Sequence, residues 1–403
     1  MTFRVAHVIE DLGLGGAERL LATMLPALQE HDVSSEVLAL GTRGELANTL
    51  RQRNVPVHIL GLDGYRPSAS RFALVRDTLT RGNFDLVHTH LDYGNLYGRA
   101  TAWRLGLRAT TTYHNCDYEK QARRAVRFGF LKQKAFQSAD WVTARHALRV
   151  VAVSECVKKS IVRRLRFSLD DVEVIVNGVA ESSVESVSNA ARRAARRELG
   201  LPEHARIVVQ VGRLTPQKGH RHTLDAASRL ERRKPEMVWI LVGGGPLRDE
   251  LERESERRGL RERVRFTGAL PDVRPYLRAA DVFVFPSLYE GLGIAVLEAM
   301  AMGVPVVAYD TGPLPEVVVH GETGMLVPSG DAEGLAAAVE ALVQAPRKSE
   351  VLGAAGRKRV EKEFLIERTA ARHAQFYRQL VGATRRTLVH PAGSSRAELP
   401  SVR

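Results

Sequence analysis

Two carboxylates spaced as E-x7-E, Glu290 and Glu298, stand in the run FPSLYEGLGIAVLEAMAMGVPVV (285–307). Glu290 falls just after a buried-strand pattern, Gly291 and Gly293 open a turn around Leu292, and the apolar stretch from Ile294 carries Glu298 inward on an otherwise apolar helix. A carboxylate so placed needs a partner. Sugar hydroxyls are suitable donors, and a helix start with unsatisfied N–H groups can meet a phosphate. The run also fits a plainer reading, in which Glu290 caps the turn and Glu298 pairs with an arginine.

Three more glycine-bearing loops follow strand patterns. In DLGLGGAE (11–18), Gly15 and Gly16 let a backbone approach a ligand closely at a helix start. This is not the dinucleotide fingerprint, because Gly13 and Gly15 are followed by Glu18 where a third glycine belongs. In VGRLTPQKG (211–219), Arg213 and Lys218 follow Gly212 on a short loop, so a planar fork and a point charge can converge on one diphosphate. VGGGPL (242–247) centres on Gly244. Each loop alone fits either a ligand contact or a tight turn. His114, in TTYHNCD, is placed at a strand end where it can act, or be a satisfied polar residue. His88 and His90 form an H-x-H pair with no suitably spaced third ligand, so no metal site is expected and His90 is read as lining a cleft.

These loops need a scaffold that gathers strand ends. Short Val/Ile/Leu-rich runs alternate with longer amphipathic stretches, the grammar of parallel sheets flanked by helices, and the pattern occurs twice. The first series reads 3–9, 36–40, 55–60, 86–90, 109–113, 150–154 and 172–176; the second reads 206–211, 237–242, 263–267, 282–286 and 304–309. The expectation is an α/β chain of two doubly wound Rossmann-like domains facing a central cleft, with ligands beyond the carboxyl ends of the strands. The boundaries are placed at 1–179 for a first domain, 180–202 for a linker and 203–364 for a second domain. A helix over 365–384 is expected to return toward the first domain, and 385–403, rich in Pro, Gly and Ser, reads as a disordered tail.

Composition narrows the function classes. With 403 residues, 44% of them hydrophobic and 26% charged, the chain can fill more than one core and is not disordered throughout. No charge-free apolar run reaches the length of a membrane span, and acidic residues interrupt the amino terminus where a signal peptide needs an apolar core. The reading is a cytoplasmic protein, peripheral on the inner face of the cell membrane. Cys116 and Cys156 are the two cysteines, far apart in sequence, and suggest neither a disulfide framework nor a CxxC site. The net charge of +13 is concentrated: residues 99–167 hold 16 Lys and Arg against 4 Asp and Glu. Within them 120–134 reads as a helix carrying Arg123, Arg124, Arg127, Lys132 and Lys134 among Phe128, Phe130 and Leu131. That pattern suits an anionic membrane surface, or a solvated helical face; nucleic acid is not the expected partner.

Taken together, E-x7-E within EGLG, GGAE, VGRLTPQKG, VGGGPL and the strand end VIVNGV resemble the retaining glycosyltransferases of family 4, which have the GT-B fold. The resemblance runs from about residue 4 to about residue 383, with the motifs in the family's order. It implies a nucleotide-sugar donor, UDP- or GDP-linked, and transfer to a sugar or lipid-linked acceptor in polysaccharide or glycolipid biosynthesis. By motif, Glu290 would bind donor sugar hydroxyls, Glu298 the ribose hydroxyls, and Arg213 and Lys218 the diphosphate. The backbone at Gly15, Gly16, Gly212, Gly244, Gly291, Leu292 and Gly293 would line the donor, while His114 and His90 would lie on the acceptor side with His114 beside the reacting sugar. Here Asn115 follows the histidine where family members often have Asp or Gly.

No D-x-D occurs, so a metal-independent reaction without a cofactor is expected, with Arg213, Lys218 and helix starts stabilising the leaving group. Two competing classes are distinguishable. An epimerase or phosphorylase of the same fold would need an acid–base pair or a cofactor lysine, neither of which is recognisable. A catalytically degenerate membrane or ligand-binding module would not need the intact Glu290, Glu298, Arg213 and Lys218.

Overall fold

The computed structural model describes residues 2–62, 68–116, 130–231 and 236–382, with the side chains of 130–136 left out. The basic stretch 120–134 therefore falls outside the described residues except for the backbone from Phe130, and the expected tail 385–403 lies wholly outside them.

Buried apolar runs pair in parallel and give two sheets. The first has seven strands in the order β3-β2-β1-β4-β5-β6-β7. These are β1 (Phe3–Ile9), β2 (Val33–Ala39), β3 (Val57–Ile59), β4 (Leu86–His90), β5 (Ala109–Tyr113), β6 (Val150–Ala152) and β7 (Val172–Val174). The second has six, β10-β9-β8-β11-β12-β13. They are β8 (Arg206–Val211), β9 (Met237–Val242), β10 (Val264–Gly268), β11 (Val282–Phe285), β12 (Val306–Asp310) and β13 (Met325–Pro328). The two doubly wound sheets expected from the sequence are thus present. β13 was not anticipated, because MLVP is short and only partly buried.

The centre of the first sheet breaks the rule that buried parallel strands are apolar. β4 is LVHTH and β5 is ATTTY, and both are buried throughout. Their polar groups satisfy one another, as burial requires. Thr89 Oγ1 meets Thr111 Oγ1 at 2.7 Å, and His88 Nε2 meets Thr112 Oγ1 at 2.7 Å. The buried Arg99 donates to Tyr113 Oη at 3.0 Å and to Asp140 Oδ1 at 2.5 Å, while Arg164 takes Asp140 Oδ2 at 2.6 Å. These contacts correct the reading of 99–167 as a uniformly basic surface. Arg99 is fully buried, and together with Arg164 it neutralises Asp140 and holds the end of β5.

The stretch 180–202, read as a linker with no strand-like run, contains the helix Asn189–Glu198, capped by Ser188 Oγ on Ala191 N–H at 3.1 Å. Its sequence, NAARRAARRE, offers little apolar surface, so a hydrophobic pattern does not reveal it. What docks it is the buried Arg196, which donates to the carbonyls of Ala279, Glu203 and Ala205 and to Asp281 Oδ2 at 2.7 Å.

The helix Ile366–Gly382 shares a core with the helix Gly16–Leu28, placing Ile366, Ala370, Ala374 and Tyr377 with Leu20, Leu21 and Met24. Just before it, the chain crosses the end of the first sheet. Val179 N–H donates to Phe364 O at 2.9 Å and Ile366 N–H to Val179 O at 2.9 Å. A Cβ at Gly178 would lie 2.5 Å from the Leu365 carbonyl carbon, so only glycine permits this crossing. Gly178→Ala should cost about 1–3 kcal/mol by overpacking. The expected outcome is a lower urea midpoint together with faster proteolysis within 366–382; a midpoint equal to wild type would show that the crossing has room to relax.

Candidate active site

The second sheet contributes one wall. After β8 the chain turns at Gly212, whose N–H donates to Val242 O at 2.9 Å, and Leu214 N–H donates to Gly244 O at 2.9 Å. The loops after β8 and β9 are thereby stacked: Gly243 has φ +149°, and a Cβ there would lie 2.0 Å from Gly212 O. Lys218 ends a single 3-10 turn, Pro216–Lys218, and forms an ion pair with the buried Glu290. Ser287 Oγ also donates to Glu290 Oε1, at 2.5 Å. Gln210, itself held by Thr223 at 2.6 Å, donates to Lys218 O at 2.7 Å and fixes the turn. Arg213 is exposed on the same loop. Gly293, with φ +97°, starts the helix Ile294–Ala301 without a side-chain cap, and Glu298 lies partly buried on it. Burial pushes the Glu298 carboxyl above its usual range, and the charges of Arg19 and Arg274 pull it back. No hydrogen bond reaches that carboxylate among the described residues.

The first sheet supplies the opposite wall. Gly15 is the N-cap of the helix Gly16–Leu28 and has no side-chain cap of its own. A Cβ at Gly16 would sit 3.8 Å from Ile294 Cδ1, so the helix starts of the two halves face each other. Glu18 folds back over Gly15; burial raises its pKa, and Arg213 of the other half acts against that rise. Arg19 crosses the cleft, donating to Leu270 O at 2.7 Å and Pro271 O at 2.9 Å. Glu10, after β1, accepts Tyr93 N–H at 2.8 Å and is pushed up to about 7, chiefly by burial. The intervening Leu91 has φ +61°, a strained backbone for a branched residue next to a site.

The halves also meet, backbone to backbone, at His114 and Gly291. A Cβ at Gly291 would lie 1.8 Å from His114 O, and Ser154 Oγ donates to Gly291 O at 2.7 Å. Beside them, Glu316 accepts the N–H groups of Glu155 at 2.9 Å and Cys156 at 2.8 Å, and so caps the helix Glu155–Leu165 from the second half.

His114 is held neutral, its pKa lowered to about 4 by burial. Its Nε2 meets His90 Nδ1 at 3.0 Å and its Nδ1 is buried without a partner. His90 does not line the cleft. It is 1% exposed and lies behind His114, whose ring centroid is 5.3 Å from its own. Its Nε2 meets His7 Nδ1 at 3.1 Å. The third histidine missing from the H-x-H spacing is this His7, contributed by the neighbouring strand in register with His88. His7, His88 and His90 offer ligand atoms within 4.8 Å of one another. His88, however, already spends both nitrogens, on Tyr377 at 2.6 Å and Thr112 at 2.7 Å, and no carboxylate joins the group to balance a cation. The arrangement is a column of neutral, hydrogen-bonded rings.

The structure thus brings Lys218 and Glu290 together, sets Gly16 opposite Ile294, and presses Gly291 on His114. Gly244 packs toward Ala269, its Cβ position 3.3 Å from that side chain. Leu292 is buried in the core beneath the turn. Arg19, Ser154, Ser287, Glu316, His7 and Glu10 were not foreseen. Arg19 adjoins GGAE and Ser287 lies within FPSLYE, so both were near recognised motifs, whereas nothing local marks the others.

Two sheets with apposed strand ends, uncapped helix starts and a lysine–carboxylate pair form the two-walled cleft of a GT-B fold. Residues 191–359 match the family described as glycosyl transferases group 1, and 14–183 match Glycosyltransferase Family 4. The alpha-maltose-1-phosphate synthase of Mycolicibacterium smegmatis is 33% identical over 73% of this chain and 79% of its own. The 2-deoxystreptamine glucosyltransferase of Streptomyces kanamyceticus is 27% identical over 95% and 98%. Among solved structures, Anabaena Alr3699/HepE in complex with UDP-glucose superposes with a TM-score of 0.81 at 22% identity, covering 93% of this chain and 99% of that one. The chain belongs to glycosyltransferase family 4.

The histidine column makes stability pH-dependent. Burial lowers His7, and also His373 of the helix Ile366–Gly382, whose ring centroid lies 5.6 Å from that of His88, to about 3 each from an ordinary 6.5. Below pH 6.5 the unfolded chain therefore takes up protons that the fold refuses, so this contribution is intact above about 6.5 and is lost as pH falls toward 3. His373→Gln removes one such group. The wild type's advantage in urea midpoint over this variant should shrink between pH 7 and pH 5; a gap constant across that range would mean His373 is not held neutral.

Proposed function

We propose that this enzyme transfers a sugar from a UDP- or GDP-sugar, with retention of configuration and without a metal ion, to a sugar or lipid-linked acceptor hydroxyl. The observation that carries the reading is the ion pair of the partly buried Lys218 with the buried Glu290, supported by Ser287, beside the uncapped helix start at Gly293. When the site is empty each charge neutralises the other. A donor would draw Lys218 and the exposed Arg213 to its diphosphate and leave Glu290 to accept sugar hydroxyls. Glu298, partly buried without a hydrogen-bond donor, would accept the ribose hydroxyls. Gly15 and Gly16 would offer helix-start N–H groups from the other wall, with Gly212, Gly244 and Gly291 to Gly293 keeping the backbone close.

As the glycosidic bond breaks, negative charge grows on the leaving diphosphate, and fixed cations and N–H groups stabilise it. The leaving phosphate takes the acceptor proton in a front-face attack, and neutral His114 contributes a hydrogen bond to the reacting sugar. The relatives include a GDP-mannose-dependent alpha-(1-6)-phosphatidylinositol monomannoside mannosyltransferase of Mycolicibacterium smegmatis, 39% identical over 41% of this chain, and its name supports a lipid-linked acceptor. No helix among the described residues is long and apolar enough to cross a membrane; the association proposed through 99–167 is a peripheral one.

Thermal-shift measurements with UDP, GDP, ADP and their sugar conjugates, with EDTA and then with magnesium, test the donor. One nucleotide family should stabilise the protein equally in both conditions; stabilisation only with magnesium would overturn metal independence. With that donor, Lys218→Met and Glu290→Gln should each reduce kcat by about 10²–10³. Near wild-type transfer by either variant would remove that residue from the site, and NMR of the product anomer decides retention. Sedimentation with anionic vesicles at low salt should retain the protein and release it at high salt; recovery in the supernatant at low salt would remove the membrane from the reading.

A further inference from the structure

The two cysteines, dismissed on sequence separation, meet in the fold. Cys116 Sγ and Cys156 Sγ lie 3.3 Å apart, without a covalent bond between them. Cys116 is 1% exposed and follows the His114–Asn115 turn, where its N–H donates to Asn115 Oδ1 at 2.8 Å. Cys156 is partly exposed in the first turn of the helix Glu155–Leu165, and its N–H donates to Glu316 of the second half at 2.8 Å. The pair therefore joins two segments that each touch the second half. One presses His114 O on Gly291, and the other is held by Glu316 and by Ser154 Oγ on Gly291 O.

We propose that Cys116 and Cys156 form a reversible, peroxide-sensitive disulfide that restrains the His114 turn and slows sugar transfer. The accessible Cys156 sulfur attacks hydrogen peroxide, giving a sulfenic acid and one water. The Cys116 sulfur then attacks that sulfenic sulfur, closing the S–S bond and releasing a second water. Two thiols lose two electrons and two protons, and the peroxide is reduced to two waters. A thiol reductant reverses the bond by exchange. Bonding shortens the sulfur separation from 3.3 Å to about 2.05 Å. The approach of about 1.2 Å is shared between rotation of the two side chains and displacement of the segments that carry them, and a misplacement of as much as about 1 Å can cost a site up to about 10² in rate.

The test uses the full chain treated with hydrogen peroxide and then with dithiothreitol. Intact mass should fall by two hydrogen atoms, both titratable thiols should disappear, and peptide mapping should link Cys116 to Cys156, all reversed by dithiothreitol. Cys156→Ser should show none of these changes and keep its untreated transfer rate; Cys116→Ala is a second variant should one of them fold poorly. Neither the mass nor the thiol readout depends on which donor is used, so they stand apart from the proposed substrate. The wild-type rate should drop at least about tenfold on oxidation and recover on reduction, while Cys156→Ser stays insensitive. Two reactive thiols persisting in folded, peroxide-treated protein would overturn the disulfide, and a linked product with an unchanged rate would overturn its control of transfer.

Discussion

Two main chains meet in this protein where no side chain fits between them. Gly291 lies against the carbonyl of His114 at a separation that even a methyl group would violate, and this contact sets how close the two sheets come. The rest of the cleft follows from it. With the strand ends so near, the helix starts at Gly16 and Gly293 face one gap, Arg19 reaches carbonyls across it, and Glu316 caps a helix of the other half. A shared anionic ligand can then be held by N–H groups and cations from both walls, which neither sheet provides alone.

The first wall is stiffened by polar groups in an interior that would normally be apolar. His7, His90 and His114 form a hydrogen-bonded line from the sheet to the cleft, and His88 ties the same sheet to Tyr377 of the returning helix. Arg99, Asp140 and Arg164 pin the strand that ends one residue before His114. Buried ionic and imidazole networks stabilise little relative to apolar packing, but when satisfied they specify one arrangement. In this chain they fix the position of His114, the residue that faces the second wall.

The second wall is organised around a charge pair that a ligand can reorganise. Lys218 and Glu290 come from the ends of neighbouring strands, and Gln210 and Ser287 orient them. In the proposed complex each would meet a different part of a nucleotide sugar, and donor binding would replace one internal ion pair with two external contacts. That exchange favours a charged ligand carrying both a phosphate and hydroxyls over one carrying either alone.

The two parallel sheets are legible in the sequence, because most of their buried strands show as Val/Ile/Leu-rich runs at regular spacing, with LVHTH and ATTTY as the polar exceptions. The sequence by itself also determined the loop residues Gly16, Gly212, Lys218, Gly291 and Glu290, because helix starts and strand ends leave local marks. It concealed the helix Asn189–Glu198, held mainly by one arginine rather than an apolar stripe, and the short edge strand Met325–Pro328. Only the tertiary structure decided that His90 is interior, that His7 completes the histidine line, that Arg99 is no surface charge, and that Cys116 touches Cys156. Each of these depends on register between strands or on packing between segments far apart in the chain. Local spacing sets which face a side chain takes along its own element; which residue waits opposite is set by the pairing of elements, and no local spacing encodes it.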